Sequence, residues 1–192
     1  QSQLELVENT LGTSLHQVEE ILEIGAGNAN FSILMRSRSQ TKLSLDVCEP
    51  GDQWLEHYTF HKIHRVAEFF PFSGKQKYDY IHTSHWLEHM DDLASTIRDL
   101  KDLLKPGAFL FVEVPNCEHD YWNAPELDTP HIQFFTQDSL KRGFEKAGFD
   151  CLSIGEYGIT FIEYRKGVKV TQDKFGPRDK GFWLRAIFQK KA

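Results

Sequence analysis

A glycine-rich turn directly after a short apolar segment is the clearest chemical feature of this 192-residue sequence. The segment reads Ile21-Leu-Glu-Ile-Gly25-Ala-Gly27-Asn-Ala-Asn30, so a predicted strand leads into a turn and then into a helix. Glycines permit a tight turn and a close approach of the backbone to a ligand, and the start of a helix adds free N–H groups. The other interpretation of such a turn is a tight strand–helix connection that binds nothing.

Acidic residues around this turn indicate the kind of ligand. Asn30 stands where the dinucleotide fingerprint G-x-G-x-x-G has its third glycine. Glu49 ends the second predicted strand 22 residues after Gly27, close to the spacing of a carboxylate that binds ribose hydroxyls. Glu23 precedes the glycines, where a dinucleotide-binding turn has no special need for an acid. The pattern E-x-G-x-G therefore favours a nucleoside cofactor without a pyrophosphate.

Alternating strands and helices must position these residues. The predicted strands are 21–24, 42–48, 62–66, 78–83 and 108–114. The predicted helices are 30–37, 52–58, 93–104 and 137–147, the last with Thr136 as its N-cap and Gly148 as its stop. Two further strands, 151–157 and 182–189, are predicted to form an antiparallel pair at the sheet edge, joined by a polar loop without a helix. The whole pattern predicts a Rossmann-like, doubly wound α/β fold with a mostly parallel sheet.

Length and charge bound the function. The length predicts a single domain over residues 1–192, with an insertion or lid at 116–135 after the fifth strand. A net charge of −6 argues against nucleic-acid partners and against a polybasic membrane anchor, and no apolar run is long enough to span a membrane. The three cysteines are far apart and odd in number, which predicts reduced thiols in a cytoplasmic protein.

Further motifs follow the glycine turn in a fixed order. They are Val47-Cys-Glu-Pro50, Ser84-His-Trp-Leu-Glu-His89, Leu103-Leu-Lys-Pro-Gly-Ala108 and Val114-Pro-Asn116. Together with the turn they resemble the class I S-adenosylmethionine-dependent methyltransferases over about residues 20–155. The segment looks most like the broad small-molecule subgroup that includes ubiquinone-biosynthesis O-methyltransferases. The resemblance implies methyl transfer from S-adenosylmethionine to a small-molecule acceptor, most often a hydroxyl, with S-adenosylhomocysteine as product.

The resemblance also implies which residues hold the cofactor. Gly25 and Gly27 would pass close to its methionine and ribose portions. Glu23 would fix the turn and the methionine amino group, and Glu49 would hold the ribose hydroxyls. The remaining implied contacts are Asn28 in the turn, Ala67 and Glu68 near the adenine, and Ser84 and His85 near the methionine tail.

Histidines supply the candidate catalytic groups. Transfer from a sulfonium needs mainly alignment, but an oxygen nucleophile also needs a base, and histidine suits that role near neutral pH. His131 in the insertion and His89 after the fourth strand are the candidate bases, although each is equally open to a structural interpretation. Some relatives hold a divalent ion with Glu-x-x-Glu-His and a later His. We expect no metal, and the alternative metal ligands are His85, Glu88, His89 and His131.

Two other function classes stay open on the sequence alone. One is a nucleotide-dependent oxidoreductase with a Rossmann-like fold, which the missing third glycine opposes. The other is a non-catalytic relative that keeps the cofactor-binding fold. The polar segment between Tyr164 and Lys180 also has two interpretations, the contact of a homodimer or free solvent surface.

Overall fold

A seven-stranded mixed sheet with helices on both faces forms the protein, as described in a computed structural model for residues 2–119, 121–123 and 131–191. The strands are β1 (Glu20–Ile24), β2 (Ser44–Cys48), β3 (His64–Ala67), β4 (Tyr78–Ser84), β5 (Leu104–Pro115), β6 (Phe149–Thr160) and β7 (Gly181–Lys190). The α-helices are α1 (Ser2–Leu11), α2 (Asn30–Arg38), α3 (Leu55–Phe60), α4 (Leu93–Leu103), α5 (Gln137–Lys146) and α6 (Phe161–Arg165). No helix within the described ranges is long and apolar enough to cross a membrane.

The strand order β3-β2-β1-β4-β5-β7-β6 confirms the predicted Rossmann-like, doubly wound fold. Strands β1 to β5 run parallel, and the order reverses between β1 and β4. In such sheets ligands bind beyond the carboxyl ends of the strands at this reversal. The glycine turn after β1 and the Leu-Glu-His segment after β4 therefore meet at one edge.

The last two strands form the predicted antiparallel pair. β7 lies between β5 and β6 and is antiparallel to both, and its register places Arg185 opposite Glu113. The expectation of a helix-free connection between β6 and β7 was wrong, because α6 begins directly after β6. Thr160 and Glu163 form a reciprocal capping box there, in which the Thr160 hydroxyl accepts from the Glu163 N–H and the Glu163 carboxylate accepts from the Thr160 N–H.

Helix α1 is an element that the sequence interpretation did not assign. Leu4, Val7 and Leu11 recur at helical spacing and are buried against the apolar side chains of the β1 and β2 face. Their burial fixes the helix on the sheet, and this places its first residues over the ends of β4 and β5. The side-chain amide of Gln3 then reaches Ser84 and Glu113.

Side chains along β1 point alternately to the two faces of the sheet and so contribute to two parts of the core. Leu22 and Ile24 pack with the apolar residues of α4 and α5, while Ile21 packs with those of α1 and α2. Such a strand, buried on both faces, is typical of a parallel sheet. This burial fixes the position of the glycine turn that follows β1.

Candidate active site at the carboxyl edge of the sheet

The glycine turn has the backbone geometry that only glycine adopts easily. Gly25 and Gly27 have φ values of +67° and +51°. A Cβ added at Gly25 would lie 3.3 Å from the side chain of Trp86, which follows β4. Gly25 and Gly27 carry no side chain that would keep a ligand away from the backbone. Their position at the carboxyl end of β1 fits the predicted cofactor site.

Glu49 braces this turn from the end of β2. Its Oε2 accepts a hydrogen bond from the N–H of Gly27 at 2.9 Å, and its Oε1 accepts one from Gly51 at 2.9 Å. Each carboxylate oxygen keeps further acceptor capacity, so two neighbouring hydroxyl donors can still bind. These carboxylate acceptors fit the two hydroxyls of a ribose, and therefore a cofactor of the S-adenosylmethionine type.

Glu23 supports the same turn from inside the protein. The residue is 7% exposed, and its Oε2 accepts from the Ser32 N–H at 3.0 Å and from the Ser32 hydroxyl at 2.5 Å. Burial raises the pKa of Glu23 to about 7, although both hydrogen bonds from Ser32 act in the opposite direction. In the structure this carboxyl thus holds the first turn of α2.

Two residues of α3 that the sequence interpretation missed also hold the turn. The Tyr58 hydroxyl donates to the carbonyl of Gly27, and the His57 Nε2 lies 3.0 Å from the carbonyl of Asn28. The Asn28 side chain accepts from the N–H of Asn30 at 3.3 Å. The i, i+1 spacing of the two α3 residues gives no sequence signal, because the contact depends on how α3 packs beside the turn.

Ala67 and Glu68, the predicted adenine neighbours, lie at the end of β3. Ala67 is half-buried, and its carbonyl accepts from the Glu49 N–H at 3.1 Å. The Glu68 side chain is 58% exposed and lies 3.6 Å from Arg65. The structure therefore brings Ala67 next to Glu49, whereas Glu68 lies at the rim.

A polar network joins the ends of β4 and β5. The Ser84 hydroxyl and the Gln3 amide donate to Glu113 Oε1 at 2.7 and 2.8 Å. His85 has a φ of 52°, and its Nε2 lies 3.4 Å from Glu113 Oε1 while its Nδ1 lies 3.5 Å from Glu88 Oε1. Burial opposes the charge of the ring, but both carboxylates outweigh it and raise the pKa of His85 to about 9. His85 is therefore a cation at neutral pH.

Arg185 completes this network from β7. Its guanidinium donates to Glu113 Oε2 and also to the Ser2 hydroxyl and the Phe175 carbonyl, each at 3.0 Å. Burial of Glu113 disfavours its charge, but His85 and Arg185 overcome this and lower its pKa to about 2. A pocket of about 360 Å³ opens above the network, and it is lined by Ser2, Gln3, His85, Glu113, Phe175, Trp183 and Arg185. We call it the His85 pocket.

The His85 pocket opens at the carboxyl edge of the sheet, next to the ends of β4 and β5. A larger groove of about 810 Å³ lies at the opposite end of the sheet, where β1 and β2 begin. It is remote from the glycine turn and from the Leu-Glu-His segment. The smaller pocket therefore shares the sheet edge with the predicted site residues.

Glu88, His89 and His131 come together beside this pocket. His131 Nε2 lies 3.9 Å from Glu88 Oε1, its Nδ1 lies 3.4 Å from the Tyr121 hydroxyl, and its ring centroid is 5.1 Å from that of His89. Burial and the neighbouring histidines His89 and His85 lower the pKa of His131 and outweigh the attraction of Glu88. His131 is therefore neutral near pH 7, as a general base must be.

The alternative set of metal ligands is brought together in part. One ligand atom from each of Glu88, His89 and His131 lies within 4.8 Å of the others, whereas His85 is not in this group. Glu88 is 1% exposed, and within the described ranges neither of its carboxylate oxygens has a hydrogen-bond partner of good geometry. Ring nitrogens of His85 and His131 lie 3.5 and 3.9 Å from its Oε1, so the same geometry also suits a carboxylate that orients a base.

A doubly wound sheet with a bare glycine turn, an acidic residue after β2 and histidines after β4 defines a class I methyltransferase architecture. Residues 3–154 match the family model of the methyltransferase domain. The chain belongs to this family, whose members take the methyl group from S-adenosylmethionine. The resemblance inferred from the motifs is confirmed.

Solved methyltransferase structures share this fold along nearly the whole chain. The N-methyltransferase NodS of Bradyrhizobium japonicum, solved with S-adenosyl-L-homocysteine, is 15% identical to this chain with a TM-score of 0.66. The match covers 99% of this chain and 86% of the NodS chain. A SAM-dependent methyltransferase of Methanosarcina mazei is 16% identical with a TM-score of 0.67, covering 97% of each chain. No curated protein sequence matches the chain significantly. At these identities the likeness shows the fold.

Proposed function

We propose that the chain transfers the methyl group of S-adenosylmethionine to a hydroxyl of a small-molecule acceptor. The observation that carries the proposal is the position of His131, a neutral histidine next to the buried Glu88, at the sheet edge that also holds the braced glycine turn. Family membership favours methyl transfer over the nucleotide-dependent oxidoreductase. A non-catalytic relative would have no need of a neutral base at this place.

The cofactor roles follow from the contacts of the turn. The bound cofactor supplies a methyl group on a sulfonium, which is already activated for displacement. Glu49 would accept from the ribose hydroxyls, Gly25 and Gly27 would let the backbone approach, and Asn28 would line the turn. Ala67 and Glu68 would flank the adenine, while Glu23, Ser84 and His85 would lie towards the methionine portion.

His131 would remove the proton of the acceptor. Glu88 lies 3.9 Å from Nε2 and would stabilise a proton there, so we assign the base to Nδ1, which lies 3.4 Å from the Tyr121 hydroxyl. The cofactor would supply the methyl group that the acceptor oxygen takes, and His131 Nδ1 would receive the hydroxyl proton. The Glu88 carboxylate then stabilises the imidazolium. His89 is the second candidate, since its ring lies beside that of His131.

The His85 pocket is the proposed acceptor site. Its volume lies within the usual range for small ligands, and the rings of Phe175 and Trp183 stack at 5.3 Å along one wall. The two cations of the lining, Arg185 and His85, are offset by Glu113 in the lining and by the buried Glu88 next to it, so these four groups together carry no net charge. These features favour a neutral acceptor with a planar portion. We also propose a reducing, cytoplasmic environment, because all three cysteines are free thiols.

Calorimetric titration with S-adenosylhomocysteine tests the cofactor part. We expect micromolar binding that Glu49→Ala abolishes and Glu68→Ala weakens less, because Glu49 braces the turn while Glu68 is exposed. A parallel titration with NADH should give no signal. Incubation of the enzyme and cofactor with a metabolite pool, followed by mass spectrometry, should reveal a product heavier by one CH₂ that His131→Ala does not form. Binding of NADH alone would overturn the proposal.

A further inference from the structure

The surface beside α6 combines exposed apolar side chains with an excess of positive charge. Residues 161–180 contain six basic and three acidic side chains in a chain with a net charge of −6. Among them Arg165, Lys166 and Lys169 are exposed next to the apolar Ile162 and Tyr164. The acidic Glu163 is already tied to Arg178 at 2.9 Å. The net charge of residues 161–180 is therefore opposite in sign to that of the whole protein.

Exposed aromatic residues of the insertion extend this surface. The Trp122 side chain is 67% exposed and packs on Phe134 at 5.0 Å and on Tyr121 at 5.2 Å, and the latter packs on Phe161 of α6 at 5.2 Å. A continuous set of ring contacts thus joins the insertion to α6. We call this surface the docking face; it consists of Trp122, Ile132, Phe134, Ile162, Tyr164, Arg165, Lys166 and Lys169.

We propose that the docking face binds the surface of an anionic lipid bilayer. Aromatic and aliphatic side chains flanked by Lys and Arg are the composition that places a protein at the boundary between lipid headgroups and acyl chains. Each cation near an anionic leaflet strengthens the binding, and the apolar side chains add the area that they bury.

Charge decides between a bilayer and a second copy of the chain. In a two-fold symmetric dimer the same patch meets itself, so the cations of one docking face would lie opposite those of the other. Such a contact is unfavourable, whereas an anionic leaflet complements every cation. The whole-chain charge argues against a polybasic anchor, but residues 161–180 carry three more basic than acidic side chains.

The docking face is joined to the His85 pocket. Phe161 stacks on Phe182 at 4.5 Å, and Phe182 packs on Trp183 of the pocket wall at 5.5 Å. Docking on a bilayer would therefore place the mouth of this pocket near the headgroup layer. This consequence, an acceptor group carried by a lipid, rests on the proposed function, while vesicle binding does not depend on catalysis.

Vesicle flotation of the purified full chain tests the proposal. At low salt the protein should float with vesicles of phosphatidylcholine mixed with phosphatidylglycerol, and it should stay in solution with phosphatidylcholine alone. Lys166→Gln with Lys169→Gln should weaken partitioning about thirty-fold, since each cation contributes about 1 kcal/mol, a factor of about five to six. The matched control, Lys75→Gln with Lys146→Gln, changes two equally exposed lysines and should stay within about twofold of the wild type.

A second pair of variants tests the apolar part. Ile162→Ser should weaken partitioning about fivefold, because about half of the side chain is available for burial in lipid. The control Phe60→Ser removes a larger exposed side chain elsewhere and should have no effect. The proposal is overturned by absence of binding to anionic vesicles, by equal losses in both lysine pairs, or by a dimer that Ile162→Ser dissociates while no vesicle binding is seen.

Discussion

Replacement of Glu23 by Gln should stabilise the protein at alkaline pH. The folded state raises the pKa of this carboxyl from 4.5 to about 7 mainly by burial, so folding holds its proton more tightly than the unfolded chain does. Stability is then lost as the pH rises from about 4.5 to 7, and the full cost of the buried charge is reached above pH 7. The shift corresponds to about 3 kcal/mol.

Urea denaturation at two pH values measures this effect. At pH 4.5 or below the wild-type carboxyl is mostly neutral, so Glu23→Gln should differ little from it. At pH 8 the variant should unfold with a free energy about 3 kcal/mol larger, because the amide oxygen still accepts from Ser32 without carrying a charge. The control Glu19→Gln changes an exposed neighbour and should show no such pH dependence.

The same variant separates stability from function. If Glu23 serves the cofactor site, the stabilised Glu23→Gln protein should bind S-adenosylhomocysteine more weakly, since a neutral amide attracts a cationic amino group less than a carboxylate does. A variant that is less stable than the wild type at pH 8 and unchanged at low pH would contradict burial as the dominant effect on Glu23. The hydrogen bonds of Ser32 to the charged carboxylate would then outweigh burial.

Three further perturbations have defined outcomes. Gly25→Ala should abolish binding of S-adenosylhomocysteine in calorimetry and lower the free energy of unfolding in urea by about 1–3 kcal/mol. The control Gly12→Ala also has a positive φ, but its added Cβ would meet no neighbour, so binding should stay unchanged. Arg185→Met should cost about 3–5 kcal/mol by removing one of the two cations beside the buried Glu113, and adding Glu113→Gln should restore most of it; equal losses in both variants would contradict this. His131→Ala should lower kcat about 10²–10⁴-fold in a methylation assay with little change in cofactor affinity, and an unchanged kcat would exclude it as the base.

The proximity of Glu49 to the glycine turn could be predicted because its signals are local. The distance from Gly27 to Glu49 reflects one strand–helix–strand unit, and the structure joins these two residues by a hydrogen bond. The acceptor half depends on contacts between distant segments. Glu113 and Arg185 are 72 residues apart and meet only through the antiparallel register of β5 and β7. No spacing rule relates them, so the sequence interpretation missed both.

Short elements escaped prediction for a different physical reason. Helix α6 has five residues, which is too few for a periodic apolar pattern, and only its capping box could have indicated it. Helix α1 has the pattern of Leu4, Val7 and Leu11, but its importance lies in Gln3, whose amide contacts Ser84 and Glu113. That contact depends on where the helix docks and not on its own sequence.

Differences in environment divide the roles of the carboxyl groups at this sheet edge. Glu23 is buried with Ser32 as its only hydrogen-bond partner in the described ranges, and its pKa rises to about 7. Glu113 is equally buried, but His85 and Arg185 lower its pKa to about 2, so it is a fixed anion. A fixed anion pairs with the cationic His85 and cannot exchange protons near neutral pH, which agrees with the proposal that the neutral His131 takes the proton. The separation of these pKa values thus supports the proposed roles of His131 as the base and of the Glu113 network as a fixed part of the acceptor site.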